Sequence, residues 1–231
     1  MKGGNNTGLP VELKITGDGS HTLFVPGLKE HYHSVFGAVT ESNHIFIEAG
    51  FNYFCRNQKK VQILEIGFGT GLNALLTYFV SVEQGCDVEY TAIELSPVSE
   101  DIYSKLNYQE FIKIPGAREI FMKMHETRWG DHIQFSPNFL LKKIKISLEA
   151  FHPVISAFDL IYFDAFGPDI QPEMWTAEVF VKMASCLKKQ GVLVTYSTKG
   201  TVKRNLSAAG FLLEKLPGPI GKREILRAVK T

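Results

Sequence analysis

"VQILEIGFGTGLNALLTYFVSVEQG", residues 61–85, runs from a segment apolar on both faces, through three alternating glycines, into a helix pattern that stops at a glycine. A strand without a polar face belongs inside a sheet covered on both sides. Apolar residues three and four apart then mark a helix packed on that sheet, with Gly85 as its stop. Gly67, Gly69 and Gly71 fill the turn between, where the chain bends tightly and the lack of a Cβ lets a ligand approach the backbone. Strand, glycine loop and helix in this order open a doubly wound α/β fold, whose ligand lies across the carboxyl ends of the strands.

The alternation continues downstream. "DVEYTAIELS" reads as a second strand, and Ser96 with Pro97 as a cap and first-turn pair opening a helix to about Asn107. Helical material follows around Gln109 to Thr127. "NFLLKKIKISL" supplies a third strand, "FDLIYFDA" a fourth, "PEMWTAEVFVKMASCLKKQG" the next helix and "VLVTYST" a fifth strand. The helix "GTVKRNLSAAG" leads to "FLLEKL" and "REILRAV", joined by "PGPIGK" as a hairpin, so the sheet is expected to be mostly parallel with an antiparallel edge. Ahead of this section, "VELKITG" and "HTLFV" flank "DGS" as a hairpin, and a helix capped by Ser34 covers Val35 to Gly50. Residues 1–56 are thus expected to form an appendage of hairpin and helix, and residues 57–231 a Rossmann-like domain.

The chain has 231 residues, 45% hydrophobic, enough for a full core. Its longest apolar run, Leu72 to Val80, is too short to span a membrane, and "MKGGNNTGLP" lacks the apolar centre of a signal peptide; a cytoplasmic location is expected. Cys55, Cys86 and Cys186 are scattered without metal-ligand spacing and read as reduced structural thiols, and no metal is expected. The net charge of +1 excludes a nucleic-acid-coating polycation. Charge is nevertheless segregated: Lys199 to Lys230 carries eight Lys or Arg and two acids.

The residues at the strand ends carry the chemistry. A dinucleotide fingerprint needs a glycine where Leu72 stands, which ranks a nicotinamide oxidoreductase last. The G-x-G-x-G spacing after Glu65 is instead the form of S-adenosylmethionine-dependent methyltransferases, with Phe68 and Asn73 beside the glycines. Glu94, at the end of the second strand beside Leu95, can accept hydrogen bonds from vicinal ribose hydroxyls. On the third strand only Ser147 or Glu149 is available near an adenine. The fourth strand is expected beside the first, which puts Asp164 near the reactive end of whatever the glycines hold. There a carboxylate suits an amine nucleophile, which it can orient and whose proton it can receive. Phe166 and Pro168 wall the site, Trp175 reads as core packing, and Asp159, at the opposite end of the strand, as a solvated or capping residue.

Together, "LEIGFGTGLN", "FDLIYFDAFGPDIQPEMWT", "YSTKGTVKRNLSAAGF", "GPIGKREIL" and "GAVTESNHIFIEAG" resemble the methyltransferase domain of the MnmC family, tRNA 5-methylaminomethyl-2-thiouridine biosynthesis proteins, from about Tyr32 to Ala228. The resemblance implies S-adenosyl-L-methionine as cofactor and N-methylation of the 5-aminomethyl group on the wobble uridine of certain tRNAs. It also implies that Asp164 and Phe166 match an active-site acid and its aromatic neighbour, and Glu41 an acid of the N-terminal helix. Two-domain relatives carry a flavin-dependent oxidase, whereas this chain stops at Thr231 without a second glycine fingerprint. The preceding demodification step is therefore not expected of it, and a separate flavoprotein oxidase becomes a candidate partner. An acid expected in the family falls near Leu148, and the segment before Phe158 is short. Lys199, Lys203, Arg204, Lys222 and Arg223 suit a phosphate-contacting rim for RNA.

Two other functions compete. An aminopropyltransferase also follows its fourth strand with an acid and a proline turn, but favours a first loop richer in glycine and acid than "GFGTG". A non-catalytic RNA-binding protein with a degenerate pocket would fit the weak third-strand end.

Overall fold

The structure is a computed structural model and describes residues 10–56 and 58–231. Its elements run β1 (Glu12–Ile15), β2 (His21–Val25), β3 (Glu30–His31), α1 (Ala38–Ser42), a π-helical stretch (Asn43–Phe51) and α2 (Asn52–Cys55). Then come β4 (Lys60–Ile66), α3 (Leu72–Gln84), β5 (Asp87–Glu94), α4 (Glu100–Tyr103), α5 (Ala117–Glu126), β6 (His132–Ser136), β7 (Phe139–Lys145) and β8 (Phe158–Phe163). The chain closes with α6 (Ala177–Cys186), β9 (Leu187–Thr195), α7 (Gly200–Ala208), β10 (Phe211–Pro217) and β11 (Glu224–Lys230).

Eight strands form one sheet in the order β10-β11-β9-β8-β4-β5-β7-β6. The five central strands are parallel, and β4 pairs with β8 on one side and β5 on the other. The chain winds outward in both directions from the β4–β8 pair, which makes this pair the topological switch point where such sheets open a crevice. Both edges are antiparallel, β10 and β11 on one side and β6 on the other. The sequence analysis expects only the first: "HIQFS" is five residues long and half exposed, too short to stand out as a strand.

Two apolar layers cover the sheet. Ile45, Phe46 and Phe51 of the π-helical stretch share a core with Ile63 of β4 and Tyr162 of β8, so the segment before β4 forms part of one layer. No helix among the described residues is long and apolar enough to cross a membrane. All three cysteines are free, Cys86 and Cys186 fully buried.

Four local expectations are corrected. Ser34 does not cap the N-terminal helix: Gly37 does, without a side-chain bond, while the Ser34 hydroxyl accepts from Phe36 N at 3.2 Å. Ser96 and Pro97 do not open a helix, because Glu94 Oε1 accepts Ser96 N at 2.8 Å and α4 starts only after Ser99. Residues 109–127 divide into a short 3₁₀ turn, Tyr108–Phe111, and α5. Asp159 is not solvated: it is 7% exposed, accepts Gln62 N at 2.8 Å and pairs with Lys188 at 2.9 Å, tying the amino ends of β4 and β8 together.

Candidate active site

The carboxyl ends of β4, β5 and β8 open into a cavity of about 1120 Å³. A single drug-sized ligand needs roughly 300–1,000 Å³, so this one has room for a cofactor and part of a second molecule. After β4 the backbone turns through left-handed φ at all three glycines. At Gly67 a Cβ would lie 2.8 Å from the carbonyl oxygen of Asp164, so only glycine lets the loop pass the end of β8. Gly67 N and Phe68 N both donate to Ile93 O, at 3.0 and 3.1 Å, which fixes the loop to the tip of β5.

Glu94 completes that attachment: Oε2 accepts Gly69 N at 3.0 Å while Oε1 holds Ser96 N. Each oxygen keeps a second lone pair, and Glu94 lines the cavity together with Leu95, Ser147 and Gly69. Leu95 is 61% exposed there, an apolar face without a partner in the protein.

Asp164 emerges from β8 into the same cavity. Burial raises its carboxyl from 3.8 to about 7; a hydrogen bond from Asn73 and the Lys222 ammonium oppose that rise, and Glu41 adds to it. Asn73, in the first turn of α3, donates through Nδ2 to Asp164 Oδ2 at 2.8 Å and to Glu65 Oε1 at 3.0 Å. Glu65 is fully buried beneath the loop; desolvation first, and the Asp164 charge second, push its pKa far up. The Glu65 carboxyl, the Asn73 amide and the Asp164 carboxyl thus form a hydrogen-bonded chain leading into the cavity. The Asn73 carbonyl oxygen, itself buried, has no partner among the described residues.

Lys222, from the turn between β10 and β11, reaches Glu41 Oε1 at 3.3 Å and lies 4.9 Å from the Tyr196 ring centre. Glu41 Oε2 accepts Ser34 N at 2.7 Å. The Phe166 ring meets Tyr32 edge to face at 5.0 Å, and the Trp175 indole N–H donates to Phe166 O at 2.8 Å, so Trp175 both packs and pins the loop after Asp164.

The cavity therefore gathers Gly67, Phe68, Gly69, Asn73, Glu94, Leu95, Ser147, Asp164, Phe166, Glu41 and Lys222 of the expected site residues. Glu65 and Gly71 lie behind it, and Gly71 is closed off by the rings of Phe68 and His125. Pro168, Lys199 and Arg223 line a smaller adjoining cleft of about 340 Å³, and Arg204 lines neither. Two of the expected rim cations are already neutralised, Lys199 by Asp169 and Lys222 by Glu41. Sequence reasoning missed Tyr32 and Tyr196. Tyr32 lies against Gly69, and the Tyr196 hydroxyl donates to Ala165 O at 2.8 Å. Neither sits in a motif that spacing would reveal.

The lining suits S-adenosyl-L-methionine: a glycine loop closed to any Cβ, a ribose-reaching acid and an apolar face at Leu95. Comparison with known proteins agrees. Residues 120–231 match a family described as S-adenosyl-L-methionine-dependent methyltransferase. Curated relatives include the tRNA 5-methylaminomethyl-2-thiouridine biosynthesis bifunctional proteins MnmC of Burkholderia multivorans, 28% identical over 94% of this chain and 34% of that protein, and of Campylobacter hominis, 30% identical over 89% and 31%. This chain spans about a third of the length of those relatives. Among solved structures, MNMC2 from Aquifex aeolicus superposes with a TM-score of 0.78 at 24% identity, covering 97% of this chain and 71% of that one. Spermidine synthase from Thermotoga maritima does so at 0.59 with 16% identity, covering 97% and 72%. At these identities the two structures establish the shared fold.

Proposed function

We propose that this chain is an S-adenosyl-L-methionine-dependent methyltransferase that methylates the exocyclic amine of 5-aminomethyl(-2-thio)uridine at the tRNA wobble position to give the 5-methylaminomethyl product. The observation that carries this reading is Asp164: a carboxyl at the carboxyl end of β8, beside the glycine loop, brought to about 7 by burial. A base that titrates near the working pH is the one best suited to take a proton from an amine.

When bound, S-adenosyl-L-methionine supplies a methyl group on a sulfonium whose sulfur keeps the pair of electrons of the breaking S–C bond. The loop from Gly67 to Gly69, Glu94, Leu95 and Ser147 would hold it. Asp164 orients the amine so that its lone pair forms the new N–C bond, and accepts the proton that the nitrogen releases. Asn73 holds Asp164 in place, and burial beneath the loop disfavours a second charge on Glu65. Phe166 and Tyr32 wall the space for the pyrimidine. Glu41 and Lys222, paired across the mouth, set the polarity of its outer side. Lys199, Arg204 and Arg223, with Pro168 in the smaller cleft, belong to the outer surface that meets the tRNA backbone. The bifunctional relatives lead us to propose a flavoprotein oxidase as the source of the amine, with both steps in the cytoplasm, and residues 57–231 as the catalytic unit with 1–56 as its appendage.

The test is nucleoside mass analysis of tRNA that carries 5-aminomethyl-2-thiouridine, incubated with the protein and S-adenosyl-L-methionine. Conversion to the methylaminomethyl nucleoside is expected. Unchanged nucleoside from protein that binds S-adenosylhomocysteine would overturn the assignment.

A further inference from the structure

Two large apolar side chains stand in solvent: Phe36, which lines the cavity, is 54% exposed, and Ile220, which precedes the cavity-lining Gly221, is 71% exposed. Exposed apolar residues are common singly, but this ring is held with unusual firmness. Phe36 N donates to the Ser34 hydroxyl at 3.2 Å, Gly37 N to Ser34 O at 3.2 Å, and Gly17 N to Val35 O at 2.8 Å. On the other strand of the hairpin the β10–β11 turn is fastened to the same region, through His44 Nε2 and Pro217 O at 2.7 Å and through Lys222 and Glu41. Gly221, at φ +87°, presses against the ring: a Cβ there would clash with Phe36 Cδ2. One part of the ring is therefore covered by backbone, and the remainder faces solvent at the rim of the cavity that contains Asp164.

The charge next to it points to the kind of molecule that covers it. Lys222 and Arg223 follow Gly221 directly, and Arg223 forms no ion pair among the described residues and lines the adjoining 340 Å³ cleft with Ser197 and Thr198. A fixed aromatic face beside an unpaired guanidinium suits a nucleotide, the base stacked on the ring and the phosphate on the cation. Resting on the reading that the substrate is RNA, we propose that Phe36 is a stacking platform for the nucleobase adjacent to the methylated uridine, with Ile220 at its edge and Arg223 on that nucleotide's phosphate. The target base can then turn into the cavity while its neighbour stays bound at the mouth, which pays the cost of unstacking the two bases.

A stem-loop RNA with 5-aminomethyl-2-thiouridine in the loop, and 2-aminopurine at either neighbouring position, tests this. Binding to the wild-type protein is expected to change 2-aminopurine fluorescence at one of the two positions. Phe36→Leu should abolish that change and raise KM for the RNA by roughly fivefold to a hundredfold, with kcat and S-adenosylhomocysteine affinity retained and Phe36→Trp restoring wild-type KM. Gly221→Ala, which displaces the ring, should act like Phe36→Leu. An unaltered RNA KM in Phe36→Leu overturns the platform while leaving the methyltransferase reading intact, and would be the result if the ring served a protein partner. Binding without transfer by the wild-type protein overturns the reading of the reaction while the fluorescence still decides the platform. Absence of RNA binding overturns both.

Discussion

Asn73→Ala is expected to shift the pH dependence of methyl transfer toward alkaline pH. Among the influences that oppose burial at Asp164, the hydrogen bond from Asn73 comes first, at 2.8 Å. A hydrogen bond to a charged group is worth about 1.5–3 kcal/mol, and 1.36 kcal/mol corresponds to one pKa unit. Water from the open cavity replaces part of the lost donor, so Asp164 should rise from about 7 to roughly one unit higher. Because the carboxylate is the form that accepts a proton, the variant loses most at neutral pH and recovers as pH rises. The assay is kcat/KM for the RNA across the neutral-to-alkaline range for both proteins on one substrate. Titration of the amine itself cancels in the ratio, which should fall about fivefold at pH 7, approach tenfold below it and return to near unity two units above. Affinity for S-adenosylhomocysteine should stay within about threefold, since Asn73 acts through Asp164. An unmoved profile together with lost cofactor affinity would refute the reasoning and make Asn73 a cofactor ligand instead.

Other consequences are equally direct. Lys143 is 1% exposed, with its ammonium on His125 O at 2.8 Å and 4.6 Å from the Trp129 ring centre, and burial lowers its pKa from 10.5 to about 8. Between those values the unfolded chain binds more protons, so stability rises with pH through the window. Lys143→Met should therefore be more stable than wild type at pH 7, by about 1–2 kcal/mol after allowing for the lost ring contact, and lose that margin near pH 10; thermal melts at both pH values check it, and a variant destabilised equally at both contradicts it. Trp175→Phe removes the donor to Phe166 O, which should cost about 1 kcal/mol and raise KM for the RNA with S-adenosylhomocysteine binding unchanged, as calorimetry and initial rates would show. Gly67→Ala forces a Cβ against the Asp164 carbonyl; it should lower Tm and reduce kcat together, and wild-type kcat in a folded variant would mean the loop does not position Asp164.

The parallel core of the sheet could be read from the chain because strands buried on both faces carry unbroken apolar runs, as in "VQILEI" and "FDLIYF", and because Gly85 ends the helix after the glycine loop; the helix expected to run to Gly191 instead ends at Cys186, and β9 begins at Leu187. Adjacency of the first and fourth strands, and with it the place of Asp164, followed from the winding rule. What sequence did not reveal depended on contacts distant along the chain. Ser96 has every local mark of a cap, yet the Glu94 carboxylate already holds its N–H in a bend ahead of the helix. Asp159 looks solvated until Lys188 and Gln62 are brought to it across two strands. The bond between Asn73 and Asp164 joins positions 91 residues apart, and no spacing in the sequence encodes it. The same holds for the rim, where segregation of basic residues along the chain suggested an open phosphate surface, but folding brings Asp169 and Glu41 to Lys199 and Lys222.

The measurement that bears most directly on the role of Asp164 is single-turnover methyl transfer by Asp164→Asn, made alongside calorimetry with S-adenosylhomocysteine. The amide can still accept from Asn73, so the fold and the cofactor side should be preserved, but it cannot take a proton. Loss of about 10²–10⁴-fold in the rate constant with near-wild-type affinity for S-adenosylhomocysteine is the expected result. Wild-type transfer by the variant would contradict the account, because the carboxylate at the end of β8 would then have no part in the chemistry.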